Sequence, residues 1–412
     1  MTRCDVFMLG LGSWGDVLPL IGVGTELASG GLAVRIGCNE HFAGAVTAAG
    51  LQHEQLGDEE TYRTVTADAR LWHPTKGLRL LLGYCARAVE PTHEATLRAI
   101  DDGAGAVICH QLGWGAKIAG EERRVPVATV ALAPASILSR ESPPVLGTGL
   151  DVSGWPRWLR GALLGFAERL LDLGVAGPVN RFRRDRGLPP ISRVLARWVI
   201  ATDPFLCLWP DWFGPVPSDA PPGAMATGFI HNDGPEETLA PEVRDFLLAG
   251  EGHAVVATFG SGNQHAARLL EATARAADAL GRRSLLLTRF PGEIGALPGS
   301  ALVAHHAPLA AVLEHAGCLV HHGGIGTTAR ALRAGVPQVV TALAYDQHDN
   351  ALRLRRLGVG ERLKGAKADT PSIRGAIERA IGRAETAAEV ASREDGLGPA
   401  RAADRIRAML AR

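Results

Sequence analysis

The chain has 412 residues, of which 46% are hydrophobic, and its 43 basic residues balance its 43 acidic residues. A chain of this length and composition can bury two hydrophobic cores, so we expect two domains. The zero net charge does not favour a broad basic surface, and we predict no nucleic-acid partner. The sequence does not indicate whether the protein is a monomer or an oligomer.

Cysteine usage and hydropathy predict a cytoplasmic protein. The six cysteines are scattered without a C-x-x-C pair, which is typical of reduced thiols buried in a core. We expect no signal peptide, because no small-residue cleavage site follows an adequate apolar stretch. The most apolar segment, residues 161–179, contains Glu168, Arg169 and Asp172, and its pattern favours an amphipathic helix over a membrane span.

Strand-like and helix-like patterns alternate in the first half of the chain. Residues 5–12 predict a buried strand, residues 17–29 a helix and residues 32–38 a second strand. Residues 50–91 are irregular and then helical. Further strands are predicted at residues 105–111, 125–132, 205–210 and 224–230.

The second half repeats this alternation after an acidic, proline-containing connection. A strand is predicted at residues 253–262 and a helix at 264–281, and further strands follow at 284–290, 301–306, 318–322 and 337–343. The alternation implies an α/β protein with two doubly wound parallel sheets. The expected organisation is a first domain at 1–230, a linker at 231–252, a second domain at 253–397 and a last helix at 398–412 that packs back on the first domain.

Gly10, Gly12 and Gly15 form the pattern G-x-G-x-x-G, which binds a dinucleotide pyrophosphate in many βαβ units. Glu40 stands where an acidic residue would meet a ribose hydroxyl, so an NAD(P)-dependent oxidoreductase is one alternative. Asp16 argues against it, because a carboxylate at the helix N-terminus repels phosphate. Asp16 either caps the helix or serves the chemistry of the protein.

The sequence HHGGIGTT, residues 321–328, predicts an anion site between a strand and a helix. The glycines let an anion approach the backbone N–H groups at the start of the helix. His322, Thr327 and Thr328 could donate further hydrogen bonds. The alternative is a turn that needs its glycines for packing alone.

Paired histidines, His305/His306 and His321/His322, raise the possibility of a metal site. Adjacent strand residues point to opposite faces, so each pair supplies at most one ligand, and no carboxylate spacing completes a set. We therefore predict no metal.

Asp346 and Gln347 fall between a predicted strand and a predicted helix, at the same sheet edge as the glycine turn. Their acceptor and donor groups suit a polyhydroxylated ligand. Helix capping is the alternative for Asp346.

Four segments together resemble the UDP-glycosyltransferase superfamily of inverting glycosyltransferases, which have the GT-B fold. They are GSWGDVLP near the N-terminus, VVATFGSG at the start of the second half, HHGGIGTT and YDQHDNA. The likeness is closest to bacterial rhamnosyltransferase-like and antibiotic glycosyltransferases. It spans most of the chain and is strongest at residues 318–360. It implies two Rossmann-like domains facing across a cleft.

The resemblance implies that a UDP- or dTDP-linked sugar binds the second domain. Its implied contacts are His322, Gly324, Gly326, Thr327, Thr328 and Ser261 for the diphosphate, His306 and Ala307 for the base, and Asp346 and Gln347 for the sugar.

Asp16 matches the general base proposed for the antibiotic branch, and no metal or cofactor is implied. The implied acceptor is a hydrophobic small molecule, a natural product or lipid, bound by the first domain. The candidate acceptor residues are Trp14, His110, Trp114 and Ser139. The sequence also leaves open a nucleotide-sugar epimerase and a non-catalytic sugar-nucleotide-binding helper.

Overall fold

A computed structural model describes residues 3–73, 76–146, 149–232, 238–249, 253–259, 266–364 and 368–412. These residues form two parallel β-sheets with helices on both faces. The predicted doubly wound α/β architecture is thereby confirmed.

The first sheet has seven strands in the order β3-β2-β1-β4-β5-β6-β7, and every neighbouring pair is parallel. Its strands are β1 (Val6–Leu9), β2 (Val34–Cys38), β3 (Gln52–Gln55), β4 (Ala106–His110), β5 (Val127–Ala131), β6 (Phe205–Cys207) and β7 (Ala224–Ala226). Its helices are α1 (Trp14–Ser29), α2 (Ala43–Ala48), α3 (Glu59–Thr66), α4 (Lys76–Arg87), α5 (Val89–Asp101), α6 (Trp114–Arg123) and α7 (Arg157–Arg184).

The second sheet has six strands in the order β10-β9-β8-β11-β12-β13, again all parallel. Its strands are β8 (Ala254–Thr258), β9 (Ser284–Leu287), β10 (Ala301–Ala304), β11 (Ala316–His321), β12 (Gln338–Ala342) and β13 (Gly360–Lys364). The helices of this half are α8 (Pro241–Leu248), α9 (Ala267–Asp278), α10 (Leu309–Leu313), α11 (Ile325–Arg333), α12 (Gln347–Arg356), α13 (Thr370–Ile381), α14 (Ala384–Ala391) and α15 (Gly398–Leu410).

Helices on both faces explain why the central strands are apolar throughout. All four residues of β1 are buried, and each face of the strand packs into a different hydrophobic cluster. The last helix, α15, joins one of these clusters through Ala402, Ile406 and Met409. It is also tied to α1, because Arg407 Nη2 donates to the carbonyl of Glu26 at 2.6 Å.

The strand order of each sheet reverses direction at one point, between β1 and β4 in the first sheet and between β8 and β11 in the second. Ligands of doubly wound sheets bind at such points, beyond the carboxyl ends of the strands. The loop that carries Asp16 follows β1, and the histidine pair lies at the end of β11. The topology therefore places both predicted motifs where ligands bind.

Within the described ranges, none of the helices combines the length and the apolar character that crossing a bilayer requires. All six cysteines are buried free thiols.

Candidate active site

Asp16 lies in the first turn of α1, which begins at Trp14, three residues earlier than the sequence predicts. Ser13 is the N-cap, and it donates to Asp16 Oδ2 from its backbone nitrogen at 2.7 Å and from its hydroxyl at 2.9 Å. Asp16 therefore does cap the helix through a capping box. Its second oxygen, Oδ1, has no hydrogen bond to any of the described residues and is left for a ligand.

The glycines of the first motif serve the placement of Asp16. Gly12 has a φ of 124°, which favours glycine, and a Cβ there would collide with the Asp16 carboxylate. A Cβ on Gly10 would meet Val17 Cγ2 at 3.2 Å, so this glycine allows the strand and helix to pack closely. Because Asp16 occupies the first turn of α1, this turn does not suit a pyrophosphate, and the dinucleotide interpretation loses its support.

His110, predicted to line the acceptor pocket, instead supports the Asp16 loop. Its side chain is buried at the end of β4, where Nε2 lies 2.6 Å from the carbonyl of Leu11. Its Nδ1 accepts from the backbone nitrogen of Leu112 at 3.1 Å, which assigns the proton to Nε2. Both ring nitrogens are engaged, so the predicted role in acceptor binding is corrected to a positioning role.

Trp114 and Ser139 are two further corrections, because their side chains lie in the interior. Trp114 is 0% exposed and its Nε1 donates to the carbonyl of Gln111 at 3.0 Å. Ser139 is 2% exposed and its hydroxyl donates to Asp219 Oδ1 at 2.5 Å. The sequence does not distinguish these core positions from a cleft lining, since the same residue types occupy both.

Trp14, by contrast, belongs to an aromatic cluster beside Asp16. Its ring contacts those of His41 and Phe42 edge-on, and Tyr62 stacks on His41 with ring centroids 4.1 Å apart. The pKa of Tyr62 is raised to about 12, chiefly by burial; the positive charge of Arg289 in the second domain opposes this shift and the negative charge of Asp16 adds to it. This apolar surface next to Asp16 includes two residues, His41 and Tyr62, that the sequence does not single out.

The glycine turn in the second half ends in a helix with an uncapped N-terminus. Gly324 is the N-cap of α11, and none of the described side chains caps the helix. The first N–H to close an intrahelical bond is that of Thr328, which donates to the carbonyl of Gly324 at 2.9 Å. The N–H groups of Ile325, Gly326 and Thr327 therefore have no intrahelical acceptor, and together they form a site for an anion.

The two adjacent histidines have different environments. His321 is buried beneath the turn, where its Nδ1 accepts from the backbone nitrogen of Gly323 at 3.2 Å, and burial lowers its pKa to about 3. His322 is 9% exposed, and burial lowers its pKa to about 4. A Cβ on Gly324 would lie 2.5 Å from His322 Nε2, so this glycine makes room for the ring. His322 is thus a neutral imidazole at the anion site.

The two threonines of the turn differ in burial. Thr327 is half-buried, whereas Thr328 is 0% exposed and its Oγ1 has no hydrogen-bond partner within the described part of the chain. The predicted contact from the Thr328 hydroxyl is therefore corrected, because α11 turns that side chain into the interior.

Asp346 and Gln347 lie at the start of α12, at the same sheet edge as the glycine turn. Gln347 Oε1 accepts from the backbone nitrogens of Leu343 at 2.8 Å and Ala344 at 3.1 Å. These bonds orient the side-chain amide, so that its nitrogen is the group left to bind a ligand.

The carboxyl groups of Asp346 and Asp16 come from different domains, and the charge of Asp16 acts on Asp346. Burial raises the pKa of Asp346 to about 6, a hydrogen bond from Asn350 lowers it, and the negative charge of Asp16 raises it. Asn350 Nδ2 lies 2.8 Å from Asp346 Oδ2 and also donates to the carbonyl of Gly323 at 2.9 Å. Asn350 thereby links the sugar-binding candidate to the glycine turn.

Two further donor-site candidates follow a single strand of the second sheet. His306 is exposed and Ala307 is 8% exposed, and both follow β10. Ser261 lies outside the described residues. Among the residues that are described, no group of three His, Cys, Asp or Glu side chains is arranged to hold a metal ion.

The chain has two facing doubly wound sheets. One crevice holds a carboxylate, and the other holds an uncapped helix N-terminus with a neutral histidine. These features define the GT-B class of nucleotide-sugar-dependent glycosyltransferases. Residues 286–404 match the model of the erythromycin biosynthesis protein CIII-like C-terminal domain. O-mycaminosyltylonolide 6-deoxyallosyltransferase of Streptomyces fradiae is 30% identical over 405 residues, which cover 97% of this chain and 94% of the relative. The chain therefore belongs to the antibiotic glycosyltransferases of the UDP-glycosyltransferase superfamily, and it is an enzyme.

Solved structures agree with this fold. The glycosyltransferase of kitacinnamycin superposes with a TM-score of 0.71 at 21% identity, covering 99% of this chain and 100% of that one. The glycosyltransferase VinC, solved in complex with dTDP, superposes with a TM-score of 0.69 at 19% identity, covering 98% and 99%.

Proposed function

We propose that this glycosyltransferase moves a sugar from a dTDP- or UDP-sugar to a hydroxyl of a hydrophobic small molecule, a natural product or lipid. The observation that carries the proposal is the pairing of a carboxylate with a free oxygen, Asp16, and an uncapped helix N-terminus beside neutral His322. In this proposal residues 1–230 and the last helix bind the acceptor, and residues 253–397 bind the donor. The dTDP-bound relative favours dTDP as the nucleotide.

Asp16 acts as the general base in one inverting displacement. The acceptor oxygen forms a bond to the anomeric carbon while the bond from that carbon to the diphosphate oxygen breaks. The acceptor proton passes to Asp16 Oδ1, the oxygen that the Ser13 hydrogen bonds leave free. A positioned base of this kind contributes about 10²- to 10⁴-fold to a rate.

The second domain stabilises the charge that develops on the departing diphosphate. The free N–H groups at the start of α11, the Thr327 hydroxyl and the neutral ring of His322 all offer hydrogen bonds to that anion. The removal of one such donor typically costs about 10²- to 10³-fold in kcat. These donors and the helix dipole supply the stabilisation, so the reaction requires neither a metal ion nor a cofactor.

Selectivity for the donor is divided between two further pairs of residues. Asp346 and the amide nitrogen of Gln347 bind sugar hydroxyls, and the Asn350 hydrogen bond holds Asp346 in place. The backbone around His306 and Ala307 lies against the nucleotide base. On the acceptor side, the aromatic surface that includes Trp14 and Tyr62 packs against the apolar acceptor.

Calorimetric titration of the purified chain with dTDP, UDP, NAD and NADP tests the proposal. We expect dTDP or UDP to bind, and the His322→Ala variant to lose most of that affinity. Binding of NAD that survives the substitution, with neither diphosphate bound, would favour an oxidoreductase instead. Turnover of a dTDP-sugar by the chain alone distinguishes an enzyme of this mechanism from a helper protein.

A further inference from the structure

A short turn of the first domain, Ala69–Trp72, reaches across to the donor half of the cleft. The turn is a single 3₁₀ segment, and Asp68 caps it by accepting from the backbone nitrogen of Arg70 at 2.9 Å. Backbone hydrogen bonds from Leu71 to Asp68 at 3.0 Å and from His73 to Arg70 at 3.1 Å close the turn. Trp72 is therefore held on a defined backbone.

The indole of Trp72 stands beside the proposed diphosphate site. Its ring centroid lies 6.5 Å from that of His322 and 6.3 Å from that of Tyr345, edge-on in both cases. Its Nε1 is buried and has no hydrogen-bond partner among the described residues, and the same is true of His322 Nδ1. A buried N–H without an acceptor is unfavourable, so its persistence points to a partner that arrives with the ligand.

Tyr345 joins this turn to the second domain. Its hydroxyl donates to the carbonyl of Leu71 at 2.6 Å, and its backbone has a φ of 57°, an unusual conformation for a bulky residue. Gly77 makes room for this contact, because a Cβ there would collide with the Leu71 carbonyl and lie 3.0 Å from the Tyr345 hydroxyl. Strained backbone of this kind is retained where a functional site requires it.

Other hydrogen-bond donors lie near Trp72. The start of α11 presents free N–H groups, and His322 is neutral at physiological pH. An unpaired indole N–H beside these groups suits a ligand that carries acceptor oxygens and negative charge. A diphosphate is such a ligand.

We propose that Trp72 completes the diphosphate site from the acceptor domain: its N–H donates to a diphosphate oxygen, its ring shields that oxygen from water, and Tyr345 positions it. This inference rests on the proposed function. In this proposal residues of both domains form the diphosphate site. The departing diphosphate is therefore fully bound only when the two domains are in contact.

The test compares the affinities of dTDP and thymidine for Trp72→Phe, Tyr345→Phe and the control Trp158→Phe, by calorimetry. Trp158 lies on α7 and is 74% exposed. Phenylalanine keeps an aromatic ring at position 72 and removes the N–H. We expect Trp72→Phe to weaken dTDP roughly tenfold, as for one hydrogen bond to a charged group, and to leave thymidine unchanged.

Tyr345→Phe tests the positioning role independently, and it remains informative if Trp72→Phe fails to fold. We expect weaker dTDP binding and faster hydrolysis of the dTDP-sugar without acceptor, because water then reaches the diphosphate.

Three results separate the possibilities. Equal dTDP affinity in Trp72→Phe and Trp158→Phe overturns the role of the N–H, and an equal loss of dTDP and thymidine affinity overturns the assignment to the diphosphate. Unchanged dTDP affinity and unchanged donor hydrolysis in Tyr345→Phe overturn the positioning role. Failure of the unsubstituted chain to bind either dTDP or UDP counts against the proposed function itself.

Discussion

Ser13 donates two hydrogen bonds to a single oxygen of Asp16, at 2.7 Å from its backbone nitrogen and at 2.9 Å from its hydroxyl. The pair fixes the orientation of the carboxylate and leaves Oδ1 free to accept a proton. One side chain therefore both caps α1 and serves as the proposed base, and substitutions at the two positions separate these roles.

Asp16→Asn should abolish most of the activity and preserve the fold. Asparagine retains an oxygen for the Ser13 hydrogen bonds but is not a base, so kcat should fall by about 10²- to 10⁴-fold with unchanged dTDP affinity. Ser13→Ala is the matched control: the loss of the cap should cost about 1 kcal/mol of unfolding free energy and less than about tenfold in kcat. Steady-state kinetics measure kcat, and urea unfolding measures the unfolding free energy. Equal losses of kcat in Asp16→Asn and Ser13→Ala would contradict the role of Asp16 as the base.

Gly12→Ala should damage both the fold and the activity, whereas Gly15→Ala should damage neither. At Gly12 the φ of 124° strains any other residue, and the new methyl group would collide with the Asp16 carboxylate. We expect a loss of about 1–3 kcal/mol of unfolding free energy and a fall in kcat. At Gly15 a Cβ would lie 3.5 Å from Ser13 Oγ, an ordinary contact. Similar kcat values for the two variants would mean that the glycine motif does not position Asp16.

The alternation of apolar strands with helices is sufficient to predict both doubly wound sheets. The edge strands β3 (QHEQ) and β13 (GERLK) are not predicted, because a strand at a sheet edge is partly solvated and its polar residues show no apolar pattern.

The candidate site is predicted where it depends on sequence-local features and missed where it depends on the arrangement of the domains. Asp16, His322 and Asp346 all follow strands, so topology alone brings them to the cleft. The position of Trp72 beside His322 arises from a contact between two halves of the chain, which no local pattern encodes. The burial of Thr328 arises from the packing of α11, which the HHGGIGTT motif does not encode.

The two threonines of the glycine turn provide a matched pair. Thr327→Val should weaken dTDP binding roughly tenfold, because one hydrogen bond to the charged diphosphate is lost. Thr328→Val removes a buried hydroxyl that has no partner among the described residues and keeps its shape, so it should leave dTDP affinity unchanged and stabilise the fold by about 1 kcal/mol. Calorimetry measures the dTDP affinity and thermal unfolding measures the stability. A loss of dTDP affinity in Thr328→Val but not in Thr327→Val would place the Thr328 hydroxyl in the site.

Binding of the sugar donor should cause protonation of His322 at mildly acidic pH. Burial lowers the pKa of His322 to about 4, so the ring is neutral in the free enzyme above that pH. A bound diphosphate places negative charge beside the ring and raises this pKa, so proton uptake should accompany binding near pH 5. Titration with dTDP-glucose, whose diphosphate does not titrate in this range, in buffers of different ionisation enthalpy measures the uptake. His322→Gln should show none, and equal uptake in both proteins would assign the proton to another group.

Asp346 should make the fold less stable as the pH rises from about 4 to about 6. Burial and the charge of Asp16 raise its pKa to about 6 in the folded protein, above the unfolded value of about 3.9. Its stabilising contribution is fully present below the unfolded pKa and is lost as the pH rises through the folded pKa. The unfolding free energy of the wild type relative to Asp346→Asn should thus fall by about 2–3 kcal/mol between these pH values. Asp404→Asn, at a side chain that is 73% exposed, is the control and should show no such difference. A difference independent of pH for Asp346→Asn would mean that the Asp346 carboxyl is ionised throughout this pH range and that burial does not raise its pKa.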